Sequence, residues 1–187
     1  MSLPKSYNDI TISQFQECYF ILGQNPEIEQ WITVLSLLSG VPEDFYYNLP
    51  TQKLKRKIYR LQFLLNPELN TKVKKYIYLN GRIYKAIYKA SDLTTAQGID
   101  IKEFQKPEED QSIQDRIVEN ADKLLATIYL PITWKGFKYD SSKHERSAND
   151  FKKAKMGQVY GTLFFTLSCS RTWWKLLRTL EKKRSRR

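Results

Sequence analysis

The sequence predicts a mainly α-helical domain carrying one β-hairpin, an α+β fold that ends in an amphipathic basic helix. Three observations carry that expectation. Apolar residues recur at helical spacing over most of the chain, two Tyr- and Ile-rich runs flank Asn80-Gly81, and from Arg171 onward apolar and basic side chains separate onto opposite helix faces. The expected organisation is a helical domain over 1–140 with its hairpin at about 72–89. A loop and a C-terminal helical extension with a basic tail then occupy 141–187.

In order, "TISQFQECYFIL" places Ile12, Phe15, Tyr19 and Leu22 on one face, and Thr11 with Gln14 has the spacing of a capping box. "NPEIEQWITVLSLLSG" predicts a second helix, with Asn25 as cap, Pro26 in the first turn and Gly40 as the stop. Its stripe is Ile28, Trp31, Ile32, Leu35 and Leu38. Pro42 and two acids open a short helix at "PEDFYY". Leu54, Ile58, Leu61 and Leu65 define a fourth helix, whose Lys53, Arg56, Lys57 and Arg60 lie off the stripe as a solvated basic face.

Asn80-Gly81 is the strongest short-range hairpin signal, because both turn positions need positive φ. It pairs Leu79 with Arg82, Ile77 with Tyr84 and Tyr76 with Lys85, which leaves both faces mixed aromatic and basic. A lone hairpin is marginal, so it must pack on helices, and its edges are open to a strand from a neighbour. "SDLTTAQGIDIKEF" reads as a capped turn leading into an extended piece. "KPEEDQ" then leads into one long helix with Ile113, Ile117, Ala121, Leu124, Leu125 and Ile128 on its core side, ending at Pro131. "TWKGFKYDSSKHERSAND" is the longest loop candidate, and from about Phe151 the pattern is helical again.

Composition bounds the functions. The 187 residues suffice for one core, and 41% hydrophobic with 13% aromatic content argues for a folded chain. No apolar run approaches the roughly 20 residues of a membrane span, and "MSLPKSYND" has no signal-peptide pattern. Cys18 and Cys169 lack metal spacing, so a reducing cytoplasm is the expected place of synthesis. The net charge of +11 is unevenly spread: Arg171 to Arg187 holds eight Lys or Arg against Glu181, while Asp92 to Asp122 holds nine acids against three basic residues. A positive end and a negative middle suit assembly with like subunits as well as they suit nucleic acid.

Catalytic patterns are scarce. His144 stands in a polar stretch beside Ser141, Ser142 and Glu145, where adjacent residues cannot hold a nucleophile rigidly, so an exposed histidine is expected. Cys18 lies on an apolar helix face and reads as a small core residue; Cys169, near Arg171, reads the same way. "TTAQGIDIK" lacks the spacing of a phosphate-binding loop, and the acids of "PEEDQ" lack calcium-loop spacing and read as a helix start. No enzyme, cofactor or metal is expected.

The segments "DITISQFQECYFIL", "LNGRIYKAIYKASDLTTAQGIDIKEF", "ENADKLLATIYLPIT" and "YGTLFFTLS", in that order, resemble small structural proteins of tailed bacteriophages, particularly crAss-like phages, over roughly residues 9 to 167. The resemblance implies a virion protein of the portal–tail region, made in the host cytoplasm. Such a protein is either a ring or adaptor component of the head–tail connector or a tail-assembly chaperone. It also implies repeated copies, other portal and tail proteins as partners, and no catalysis.

For such a protein the C-terminal helix is the expected interaction element. At about 100° per residue, Arg171, Lys175, Arg178 and Lys182 fall on one stripe and Trp173, Leu176, Leu177 and Leu180 on the other. Arg171, Trp173, Trp174, Lys175, Leu177, Arg178, Lys182 and Arg184 are the candidate contact residues, with Trp and Arg as anchors and the brush against acidic protein or packaged DNA. The alternative is that Trp173 and Trp174 close the protein's own core. A nucleic-acid-binding module is the competing function, drawing on that tail and on the interleaved "KKYIYLNGRIYK"; a peripheral membrane helix ranks below it.

Overall fold

Thr11 and Gln14 close the expected reciprocal capping box, and the first helix, α1 (Ile12–Leu22), follows from it. The computed structural model describes residues 3–23, 25–65, 72–87, 89–134, 136, 138–163 and 165–166. The fold is mainly α with a small three-stranded antiparallel sheet. The chain divides into two units, one formed by residues 1–70 with 152–158, the other by 71–151 with 159–187.

The first unit is helical. α2 (Ile28–Ser39) is capped by a box between Glu27 and Gln30 rather than by Asn25, and it ends on Gly40 in the left-handed region. Ile28 is therefore exposed, while Trp31, Ile32, Val34 and Leu35 are buried. Pro42 caps α3 (Glu43–Tyr47), and Pro50 opens α4 (Thr51–Arg60), whose pattern runs on into a 3-10 turn at Gln62–Leu64. Leu3, Cys18, Leu22, Trp31, Ile32, Leu35, Tyr46, Leu54 and Leu61 belong to one core cluster. Inside it, the Tyr46 hydroxyl donates to Ser39 Oγ at 2.6 Å, and Ser39 Oγ donates back to the Leu35 carbonyl at 2.6 Å, so both of these buried hydroxyls are paired. The 152–158 segment straps the N-terminus by main-chain bonds: Ile12 N–H to the Ala154 carbonyl at 2.9 Å and Met156 N–H to the Ile10 carbonyl at 3.0 Å.

The second unit is built on the hairpin. β1 (Tyr76–Leu79) and β2 (Arg82–Ala86) pair in the register that Asn80-Gly81 dictates, with φ of 47° and 78° at the two turn residues. A third strand, β3 (Tyr129–Pro131), pairs with β2, so the β2 edge is filled from within the chain rather than by a neighbour. Three further expectations need correction. "TTAQGIDIKEF" is helical, not extended: Thr94 and Gln97 form a capping box and α5 spans Thr95–Gln105. The long helix is broken into α6 (Ile113–Glu119) and α7 (Ala121–Ile128) at Asn120, whose side chain donates to the Phe104 carbonyl at 3.2 Å; Ile113 is exposed. The loop candidate is helical over its second half, with a 3-10 turn at Ser141–Lys143 followed by α8 (His144–Lys152), and residues 156–163 are helical after it.

α5 is locked onto α7 by Gln97, whose buried Nε2 donates to the Thr127 carbonyl at 2.6 Å. Tyr84 and Tyr129 from the sheet pack against Phe151 of α8, with ring centroids 5.2 and 5.5 Å away. This aromatic cluster covers one sheet face.

Candidate interaction surface

Among the described residues, the other face of the sheet has no such cover. Side chains on paired positions of antiparallel strands share a face. Ile77, Tyr84, Ala86 and Tyr129 take the covered face and are buried. Tyr78 stands opposite Ile83 on the outer face. Ile132 donates its N–H to the Ile83 carbonyl at 2.8 Å, extending that row across the third strand. The row Tyr78, Ile83, Ile132 is 69, 51 and 43% exposed, and Trp134, just beyond it, is 91% exposed. Tyr76, opposite Lys85 in the next row, is half exposed, and the Lys75 ammonium lies 5.4 Å from its ring centroid. Leu130 ends that second row and is buried.

Both faces are mixed, as expected, since Arg82 shares the covered face with Tyr84 while Lys85 shares the outer one with Tyr76; the faces differ in exposure, and the open one is the outer. Its signal was in the register: alternation about Asn80-Gly81 already put Tyr76, Tyr78, Ile83 and Lys85 together. Which face would be covered depends on Tyr129 and Phe151, far along the chain. β1 is also an edge strand. Ala86 N–H bonds the Lys75 carbonyl at 2.9 Å, so Lys75, Ile77 and Leu79 face β2 while the main-chain groups of Tyr76 and Tyr78 face outward. Exposed Lys74 and Lys75 at its start are the usual guard against indiscriminate edge pairing.

His144 is not the exposed loop residue expected from its neighbours. It opens α8, stacks on Phe104 at a centroid distance of 5.3 Å and an interplanar angle of 21°, and lines a cavity of about 210 Å³ with Leu130, Pro131, Lys138, Tyr139 and Lys143. Its Nε2 lies 3.1 Å from the Lys123 carbonyl and 2.9 Å from Thr127 Oγ1. A carbonyl only accepts, so Nε2 carries the hydrogen and the lone pair sits on Nδ1. Burial pulls its pKa below 6.5, against the opposing pull of the Lys123 carbonyl and of Asp100 and Asp122. Beside it, the Tyr139 hydroxyl donates to Asp100, and burial with that bond pushes the phenol pKa up. Ser141 and Ser142 are exposed; Ser142 Oγ donates to Asp140 at 2.6 Å.

Cys18 is buried, and desolvation first, then the Glu17 charge, push its thiol up to about 12. Arg116 bridges Glu108 at 3.2 Å and Glu119 at 2.9 Å, so part of the acidic segment is neutralised internally. Among the described residues, no group of three or more His, Cys, Asp and Glu is placed to hold a metal ion, and no helix is long and apolar enough to cross a membrane. Arg171, Trp173, Trp174, Lys175, Leu177, Arg178, Lys182 and Arg184, with Cys169, lie outside the described residues. No protein-family model, curated protein or solved structure matches the chain.

Proposed function

We propose that this protein is an assembly subunit that works through protein–protein contact, a ring or adaptor component of a phage portal–tail junction. The phage assignment rests on the sequence resemblance. The contact role rests on one observation, the exposed Tyr78–Ile83–Ile132 row with Trp134 beside it. Contiguous aromatic and aliphatic surface of this kind is uncommon on an isolated monomer, and Tyr and Trp are the residues most enriched at the centres of interfaces. The occupant is a second copy of the chain. Lys74, Lys75 and Lys85 beside the row are matched by the exposed Glu103, Glu109 and Asp110 of the acidic segment, giving each subunit two different, complementary patches. Head-to-tail contacts of this kind form a ring when the rotation from one copy to the next closes.

The mass of the full chain in solution, at low and high salt, tests this. A discrete oligomer is expected, and Tyr78→Glu/Ile83→Glu shifts it to monomer while leaving the far-ultraviolet circular dichroism unchanged, because both side chains are exposed. A monomer at tens of micromolar in low salt, or an oligomer indifferent to the double substitution, overturns the reading.

A further inference from the structure

α4 carries Lys53, Lys55, Arg56, Lys57 and Arg60 within ten residues, with no acid among them. At about 100° per residue, Lys53, Arg56, Lys57 and Arg60 fall within an arc of about 100°. Tyr59, 73% exposed, borders it on the side of Arg56. Leu54 is buried and Ile58 packs against the core cluster on the opposite side. Among the described residues none of the five cations forms an ion pair, although Glu43 and Asp44 open the preceding helix. Lys57 alone is engaged, 5.9 Å from the Tyr46 ring centroid.

This arrangement works against the helix itself. Lys53–Arg56, Lys53–Lys57, Arg56–Arg60 and Lys57–Arg60 are all like-charge pairs at i,i+3 or i,i+4, each destabilising. The helix dipole favours Lys57 and Arg60 in the last turn but disfavours Lys53 near the start. A polyanion laid along the face would relieve the repulsion at all of these positions at once.

We infer that α4 docks on the phosphate backbone of duplex DNA, with Lys53, Arg56, Lys57 and Arg60 each facing phosphates and no reading of base sequence. An anionic membrane is a poorer fit, because the apolar side of α4 is spent on the core and none is left to enter lipid. An acidic protein is a poorer fit because interface centres are depleted in charge, and on α4 Tyr59 alone supplies exposed aromatic surface. A single strand would call for a groove with successive aromatic platforms, whereas α4 is convex with one aromatic. The inference is independent of the oligomer reading: α4 and the sheet row belong to different units.

Because the C-terminal segment is also basic, the readout is the salt dependence rather than binding alone. Anisotropy of a labelled random-sequence duplex with the full chain, titrated from about 50 to 200 mM salt, gives the slope of log K against log salt. Lys53→Gln/Arg56→Gln/Arg60→Gln, retaining Lys57, is expected to make that slope shallower by about 2.7 on any duplex sequence, at roughly 0.9 for each phosphate that is no longer neutralised. Should the triple variant melt early, Arg56→Gln alone still predicts a change of about 0.9. Tyr59→Ala is expected to leave duplex binding unchanged. The inference is overturned by an unchanged slope, by no duplex binding at about 50 mM salt, or by a triple-variant defect seen on phosphatidylserine vesicles and not on DNA. A loss of about tenfold on single strands with Tyr59→Ala, without a duplex effect of the triple variant, overturns the duplex assignment.

Discussion

The Tyr84 hydroxyl, on the middle strand, donates to Asp150 Oδ2 of α8 at 2.6 Å, and the same carboxylate accepts from Asn80 Nδ2 at 2.8 Å and Arg82 Nη1 at 3.3 Å. One side chain thus ties the hairpin turn and the strand leaving it to the helix that covers the sheet. Asp150→Ala leaves the Tyr84 hydroxyl, in a fully buried residue, without its acceptor and is expected to destabilise the fold by about 2 kcal/mol. Tyr84→Phe, which leaves Asp150 its other two partners, is expected to cost about 1 kcal/mol. Urea midpoints of the two variants give the comparison, and equal losses would refute this division.

The same carboxylate sets an acid limit. Burial raises the Asp150 pKa, but the bonds from Tyr84 and Asn80 and the charges of Arg82 and Arg146 outweigh it, and the net shift is downward. A depressed carboxylate stabilises the fold above its unfolded value of about 3.9, and that stability is lost as pH falls through the lower, folded value. Asp150→Asn is expected to flatten the acid limb of a stability–pH curve below about pH 4. An unchanged limb would assign the acid sensitivity to other carboxylates.

His144 makes a second, separate pH window. Its pKa is lowered in the folded state, chiefly by burial, so the unfolded chain takes up a proton first as pH falls. Stability therefore declines from about pH 6.5 downward and levels off below the folded pKa. As the chain has one histidine, the imidazole resonance titrates without overlap. The expected midpoint lies below 6.5, with the proton of the neutral ring on Nε2, and His144→Gln abolishes the slope that sets in below about pH 6.5. A midpoint at or above 6.5 would contradict the packing against Phe104 and Thr127.

Local chemistry was legible in the sequence, and long-range packing was not. The Thr11–Gln14 box and the Asn80-Gly81 register appear as expected because each is decided within a few residues. α5 carries the same kind of box, Thr94 with Gln97, but Gly98 and the alternating Ile99-Asp100-Ile101 imitate a strand. Asn120 breaks the long helix through a bond to Phe104, sixteen residues away, and β3 exists only because β2 pairs with it. His144 looked exposed because its immediate neighbours are polar; Phe104 and Thr127 shelter it from elsewhere in the chain. The exposed sheet row follows the same division, since its alternation could be read from the register and its exposure among the described residues could not.

Cys18 tests the first unit's core. A buried thiol raised to about 12 is almost wholly protonated at neutral pH and closed to reagent. In a Cys169→Ser background, native labelling of Cys18 by a thiol-disulfide reagent is expected to proceed only through opening of the core, and to become fast in urea. Rapid labelling of the native chain would show that the α1–α2 core opens far more readily than its packing implies.

The turn residue Gly81 offers the sharpest test of the sheet. Its φ of 78° is a conformation that L side chains rarely adopt, yet a Cβ there would meet nothing within 4 Å, so the penalty for a substitution is conformational and not steric crowding. Gly81→Ala is expected to destabilise by about 1–2 kcal/mol. Asn80 also has positive φ, 47°, and it holds Asp150, so Asn80→Gly keeps the turn while losing the 2.8 Å bond. If turn geometry dominates, Gly81→Ala is the more damaging of the two. If Asn80→Gly proves worse, the Asp150 clamp, and not the turn, is what fixes the hairpin's register.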